Sequence, residues 1–143
     1  MRIRSATSED AEAMAGLLAE LGYPTSASAL PERLRAIAAE GGTVFLAVDV
    51  DEAAVGLASV ASHPTLHADA PVAYITALVT SAAARGGGVG RALVAAAEQW
   101  AREEGCVKLS VTSAEHRADA HAFYPRCGMP YSGRRFSKTL SPL

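Results

Sequence analysis

Apolar positions along the chain change period several times, and each change marks an element. Ile3 sits between Arg2 and Arg4 in a short opening strand. Met14, Leu17, Leu18 and Leu21 then recur at helical spacing. Thr7, with Asp10 three positions on, supplies a capping box ahead of that helix, and Gly22 and Pro24 end it. Leu30, Leu34, Ile37 and Ala38 predict a second short helix, with Pro31 in its first turn and Gly41-Gly42 behind it. Residues 43–50 and 54–62 read as two strands joined by the polar turn 49–52, an antiparallel hairpin in which Gly56 marks a bulge. Residues 63–71, HPTLHADAP, are loop by composition.

The second half follows the same logic. Residues 72–80 are rich in strand formers, and a helix over about 90–104 presents Leu93, Ala96, Ala97 and Trp100, with Gly105 behind it. Val107, Leu109 and Val111 alternate with Lys108, Ser110 and Thr112 in a further strand. A helix over about 117–126 contains Pro125, which predicts a kink or a tightening near Tyr124. Two short closing strands are expected near 129–131 and 135–140. The order β-α-α-β-β-β-α-β-α-β-β predicts an α/β (α+β) chain around a mixed sheet, one domain over 1–143.

Composition narrows the function classes. The chain is 143 residues and 50% hydrophobic, enough for one core. Thirteen basic and 15 acidic residues give a formal charge of -2, which argues against a nucleic-acid footprint. The N-terminus lacks the apolar stretch of a signal peptide, and no run reaches the ~20 apolar residues of a membrane span, so a cytoplasmic protein with no membrane partner is expected. Cys106 and Cys127 are far apart, and His116 and His121 lack i,i+4 spacing, so no metal site is expected.

The most pointed chemistry lies in ARGGGVGRALV, residues 84–94, where Gly86, Gly87, Gly88 and Gly90 stand between a strand and a helix. Glycine is entropically costly, and such loops place amides and a helix N-terminus around an anion. No Lys-Ser/Thr follows the glycines, so the loop is not a Walker A motif, and its spacing is poor for a dinucleotide fingerprint. A tight turn without a ligand is the alternative.

Arg85-Gly86-Gly87-Gly88-Val89-Gly90 resembles the R/Q-x-x-G-x-G/A signature of the GNAT superfamily of N-acetyltransferases. Residues 74–80, YITALVT, are similar to the strand that lies along pantetheine in that family. RADAHAFYPRCGM, residues 117–129, resembles its R-x-x-A-x-x-F-Y-x-x-x-G-F segment, with Met129 in place of the last aromatic. The resemblance implies the acyl-CoA N-acyltransferase fold, a mixed sheet with splayed central strands and about four flanking helices. It implies acetyl-CoA as co-substrate, with its pyrophosphate held by Arg85 and the amides of Gly86, Gly87, Gly88, Val89 and Gly90. Backbone groups of Leu78 and Thr80 would pair with the pantetheine arm, and an amide near Leu78 or Val79 would polarise the carbonyl. Tyr124 would be the acid for the departing thiolate, or else a half-buried aromatic beside Phe123. Ser113 would touch the cofactor or cap the next helix.

The acceptor is expected to be a primary amine of a small molecule, with a protein amine as the alternative. Its site would draw on residues 20–35, with Glu20 and Tyr23, and on residues 63–72, with His63, His67 and Asp69. Many members carry a glutamate near Thr76; here Thr76 is uncharged, which leaves the base to the loop histidines, Asp69, Glu20 or water. A CoA-binding module with degenerate catalysis is the reading from a different class, and an unrelated nucleotide-binding protein a third. A homodimer, formed through sheet edges or the closing strands, is also expected from the resemblance.

Overall fold

Five strands form one mixed sheet in sequence order: β1 (Arg2–Ser5), β2 (Thr43–Val48), β3 (Ala54–His63), β4 (Val72–Thr80) and β5 (Lys108–Val111). The computed structural model describes residues 1–111, 118–133 and 136–141, without the side chains of 118–121. It comprises two units, 1–111 and 112–143. Neighbours from β1 to β4 are antiparallel, and β5 joins β4 in parallel. Between them come α1 (Ala11–Leu21), α2 (Leu30–Ala39) and α3 (Val89–Glu103), while α4 (Ala118–Arg126) lies in the second unit.

Strand alternation sorts the side chains of the first unit into two apolar layers. Val44, Leu46, Leu57 and Val79 join Met14 and Leu17 of α1 and Leu30 of α2 on one face. Ala47 and Ala58, with Phe45 and Leu78 beside them, join Val89 and Leu93 of α3 on the other. The sheet therefore separates the α1–α2 pair from α3. None of the helices in the described residues is long and apolar enough to cross a membrane.

The predicted punctuation acts as expected at α1. Thr7 N donates to Asp10 Oδ2 at 2.8 Å, and Asp10 N returns to Thr7 O at 3.0 Å across a 3-10 turn, Ser8–Asp10. Gly22 takes φ 105°, and Tyr23 N reaches back to Leu18 O at 2.9 Å, closing the helix in a left-handed cap. Arg4 of β1 grips Asp10 with both guanidinium nitrogens, at 2.9 and 2.8 Å. That pairing, with help from Thr7, holds the Asp10 carboxyl at about 2.

Because the folded value lies below the ordinary 3.8, the unfolded chain binds the proton first as pH falls. The stabilisation is complete above about pH 4 and is lost towards pH 2. Arg4 is 35% exposed, so solvent screening reduces the contribution to roughly 1 kcal/mol. Asp10→Ala is expected to lose about that much in urea denaturation at pH 7, and the gap to the native chain is expected to shrink at pH 2.5.

Two bulges shape the sheet. Ala47 pairs with Gly56 and Val48 with Ala54, so Val55 is the extra residue of β3. The bulge expected at Gly56 is thus one residue earlier, and Gly56 is glycine for another reason. A Cβ there would stand 2.7 Å from Val89 Cγ1, 2.9 Å from Leu93 Cδ1 and 3.2 Å from Val79 O. The first turn of α3 crosses the sheet directly over this gap. Gly56→Val is expected to destabilise the fold by about 1–3 kcal/mol through overpacking, read as a lower urea midpoint.

The second unit corrects one expectation. Residues 129–133 and 136–141 form no strand among the described residues. Pro130 interrupts the first segment, and Gly133 takes φ 159°. A short apolar alternation becomes a strand only when a partner edge takes its hydrogen bonds. Tyr131, Phe136 and Leu140 stand 74%, 90% and 91% exposed. α4 behaves as Pro125 predicts: it tightens at its end, where Cys127 N donates to Tyr124 O at 2.9 Å and Gly128 N to Pro125 O at 3.0 Å.

Candidate active site

The glycine loop follows β4 through a 3-10 turn, Ala82–Ala84, and opens directly into α3. Gly86 and Gly88 take φ 86° and 82°, in the left-handed region where side chains are strained. Apart from their own chain neighbours, no atom of the described residues lies within 4 Å of where their Cβ atoms would be. Their glycines therefore serve the backbone path and leave open space above it. Gly87 differs: a Cβ there would sit 3.3 Å from Ala84 O, the atom that accepts the Gly87 amide, also at 3.3 Å.

This path leaves a row of donors. Gly88 is the N-cap of α3, and its carbonyl accepts from Ala92 N at 3.0 Å. The amides of Gly86, Gly88, Val89 and Gly90 donate to no acceptor among the described residues. They stand at the positive end of a 15-residue helix. Arg85 and Arg91 are both exposed beside them. Unpaired amides, a helix N-terminus and two guanidinium groups are what an anion with several oxygens requires, so the residues present fit a pyrophosphate.

The strand before the loop supplies a second surface. Ser59 pairs with Ala77 and Val60 with Ile75, which makes Thr76 the extra residue of a bulge in β4. Thr76 is exposed, and its hydroxyl donates to Ser59 O at 3.3 Å. Among the described residues, β5 pairs with β4 from Val72 to Ile75. Beyond the bulge, residues 77–80 remain paired with β3, and no described residue pairs with their other edge. A strand edge whose backbone groups no neighbour takes up binds an extended chain by added-strand pairing. Leu78 turns its side chain to the α3 layer and Val79 to the α1–α2 layer, so backbone groups are what the edge offers.

The acceptor candidates are more scattered. Glu20, at the end of α1, meets the loop region directly: its Oε1 accepts from Ala82 N at 2.9 Å. Tyr23 is 62% exposed two residues after α1. His63 ends β3 opposite Val72, with its ring 5.8 Å from Tyr74. Val72 and Leu78 are six residues apart along β4, about 20 Å, so His63 is not brought to Leu78. His67 and Asp69 are exposed on the loop between β3 and β4. Sequence reasoning passed over Tyr74, Ala82 and the structural use of Gly56; only strand register and a helix–turn contact bring them in.

Tyr124 belongs to the second unit. It and Phe123 are both half-buried, and their rings meet edge to face with centroids 5.3 Å apart. The Tyr124 carbonyl accepts from Cys127 N at 2.9 Å and Met129 N at 3.0 Å. Ser113, His116 and Arg117 lie outside the described residues, as does the side chain of His121.

Comparisons with known proteins agree with this geometry. The model of the Acetyltransferase (GNAT) family matches residues 10–129. An aminoglycoside N(6')-acetyltransferase type 1 from Stenotrophomonas maltophilia is 36% identical over 135 residues, covering 92% of this chain and 88% of that one. The solved structure of a transcriptional regulator from Bacillus halodurans C-125 superposes with a TM-score of 0.84 at 28% identity, over 97% of this chain and 99% of that one. Glucosamine-6-phosphate N-acetyltransferase from Arabidopsis thaliana, at 19% identity, shares the fold, with a TM-score of 0.86 over 98% of both chains. A family match across residues 10–129, with a 36% identical relative covered over 88% of its length, makes this protein an N-acetyltransferase of the GNAT family.

Proposed function

We propose that the protein moves an acetyl group from acetyl-CoA directly to a primary amine of a small cationic molecule. The row of unpaired amides at Gly86, Gly88, Val89 and Gly90 carries this reading. Acetyl-CoA supplies an activated acyl carbon on a thiol leaving group. The loop amides and Arg85 bind its pyrophosphate. Leu78 and Thr80 hold the pantetheine arm along the open edge of β4. An amide at Leu78 or Val79 donates to the carbonyl oxygen, whose charge grows as the amine attacks. The new C–N bond replaces the C–S bond, the amine gives up a proton, and the Tyr124 hydroxyl protonates the departing sulfur.

Tyr23, His67 and Asp69 offer aromatic and acidic groups for a cationic acceptor. The aminoglycoside relative supports a polyamine-like acceptor class. The family match spans both units, which supports reading residues 1–143 as one transferase domain.

The test mixes purified protein with acetyl-CoA and a panel of aminoglycosides, polyamines, amino acids and peptide amines. Thiol release is followed, with mass confirmation of each product. Amine-dependent release with an aminoglycoside or polyamine is expected. CoA binding without turnover on any amine would favour a binding module instead.

A further inference from the structure

The turn that launches the glycine loop is tethered in an unusual way. Ser81 is the N-cap of the Ala82–Ala84 turn, a position where a serine hydroxyl ordinarily takes up an exposed amide. Here its side chain makes no capping hydrogen bond. Ser81 instead donates its own amide to Val55 O of β3 at 2.8 Å. The first amide of the turn, Ala82 N, goes to Glu20 Oε1 of α1 at 2.9 Å, a partner 62 positions away in sequence. The turn then passes its geometry forward. Ala84 N closes on Ser81 O at 2.9 Å, and Ala84 O receives the Gly87 amide at 3.3 Å. Gly87 sits between the two left-handed residues, Gly86 and Gly88, whose amides donate to no acceptor among the described residues.

From this chain of contacts we infer that Glu20 is a positioning residue for the phosphate loop. Its carboxylate fixes the turn against α1, and through Ala84 it fixes the direction of the Gly86 and Gly88 amides. The role rests on the proposed reading of that loop as a pyrophosphate cradle. Charge does not account for the placement, since a carboxylate near a bound pyrophosphate repels it. The acceptor oxygen accounts for it, because the turn needs a partner for Ala82 N and its own N-cap supplies none. The contact is exposed, so its loss loosens the loop without removing a core element.

The experiment measures CoA and pantetheine binding by calorimetry on the full chain, with melting temperature alongside. Glu20→Gln keeps an acceptor oxygen and removes the charge. Glu20→Ala removes both. Ala82→Pro deletes the donor instead; proline suits the first position of a turn, and Ser81 at φ -53° and ψ 139° accommodates a following proline. Glu20→Ala and Ala82→Pro are each expected to weaken CoA binding about 3- to 10-fold, the worth of one exposed hydrogen bond. The double variant is expected to be no weaker than either single one, since both break the same contact.

Glu20→Gln is expected to bind CoA at least as well as the native chain. Pantetheine, which lacks the pyrophosphate, is expected to bind all variants equally. Native affinity in both Glu20→Ala and Ala82→Pro would overturn the role. Equal weakening in Glu20→Gln and Glu20→Ala would overturn it too, because charge and not the hydrogen bond would then matter. If the native chain itself binds no CoA, the cradle reading fails first and this role with it. If Glu20→Ala does not fold, Ala82→Pro decides alone.

Discussion

Tyr124→Phe is expected to lower kcat by about 10²-fold, the lower end of what a positioned general acid contributes, while acetyl-CoA affinity stays within about twofold. The reason is that phenylalanine removes only the hydroxyl. The edge-to-face contact with Phe123, at 5.3 Å, does not depend on it. Neither do the hydrogen bonds from Cys127 N and Met129 N to the Tyr124 carbonyl, which close the end of α4. The phenol is chemically suited to the task, since its ordinary pKa near ~10 is close enough to a thiol's ~8.5 for proton transfer to the leaving group. Steady-state kinetics with saturating acetyl-CoA, calorimetry and a thermal melt separate the possibilities. An unchanged kcat would reduce Tyr124 to a packing residue. A lower melting temperature with weakened binding would give it a structural role.

Gly88→Val is expected to weaken acetyl-CoA binding by about 10²-fold. Gly88 is the N-cap of α3 at φ 82° and ψ 9°. A β-branched residue there costs roughly 1–3 kcal/mol of backbone strain. Its Cβ would meet no atom of the described residues beyond its chain neighbours within 4 Å, so the expected loss does not rest on a clash with them. Two effects then add at the ligand. The side chain occupies the space where a phosphate would lie, and relief of strain turns the Gly88 and Val89 amides away. Gly88→Asn should lose less, about 10-fold, because asparagine tolerates the left-handed region. Calorimetric titration of the variants checks the order; equal affinity for all three chains would sink the phosphate-loop assignment.

The contrast among three glycines shows what could be read from the chain. Gly22 ends α1 as a left-handed cap, and its position after Leu21 announces that. Gly88 was legible as part of a motif, because a cluster of glycines before a helix has few purposes. Gly56 was legible only as a disturbance in a strand. Its true neighbours, Val89 and Leu93, lie more than 30 positions later, and only the crossing of α3 over the sheet brings them to it. Thr76 is similar. In the sequence it marks an uncharged position where many relatives carry a glutamate. In the fold it is the extra residue of a bulge that follows the stretch of β4 paired with β5. The closing strands expected near 129–131 and 135–140 went wrong for the same reason: alternation is a local signal, and strand pairing is not.

Local physics settled much of this protein in advance. Hydrophobic period and capping residues placed α1, α2, α3 and α4 to within a few residues and β4 to the residue. The glycine loop announced an anion site or a tight turn, and its resemblance, with that of the segment around Tyr124, to the GNAT signature implied acetyl transfer, because both motifs are contiguous. Tertiary structure alone decided the strand register, the bulges and the partners of lone polar groups. Arg4 with Asp10, Glu20 with Ala82, and His63 with Tyr74 are contacts made by strand pairing and helix docking. The chain encodes them only through the summed free energy of the whole fold, and no local pattern of residues carries that sum.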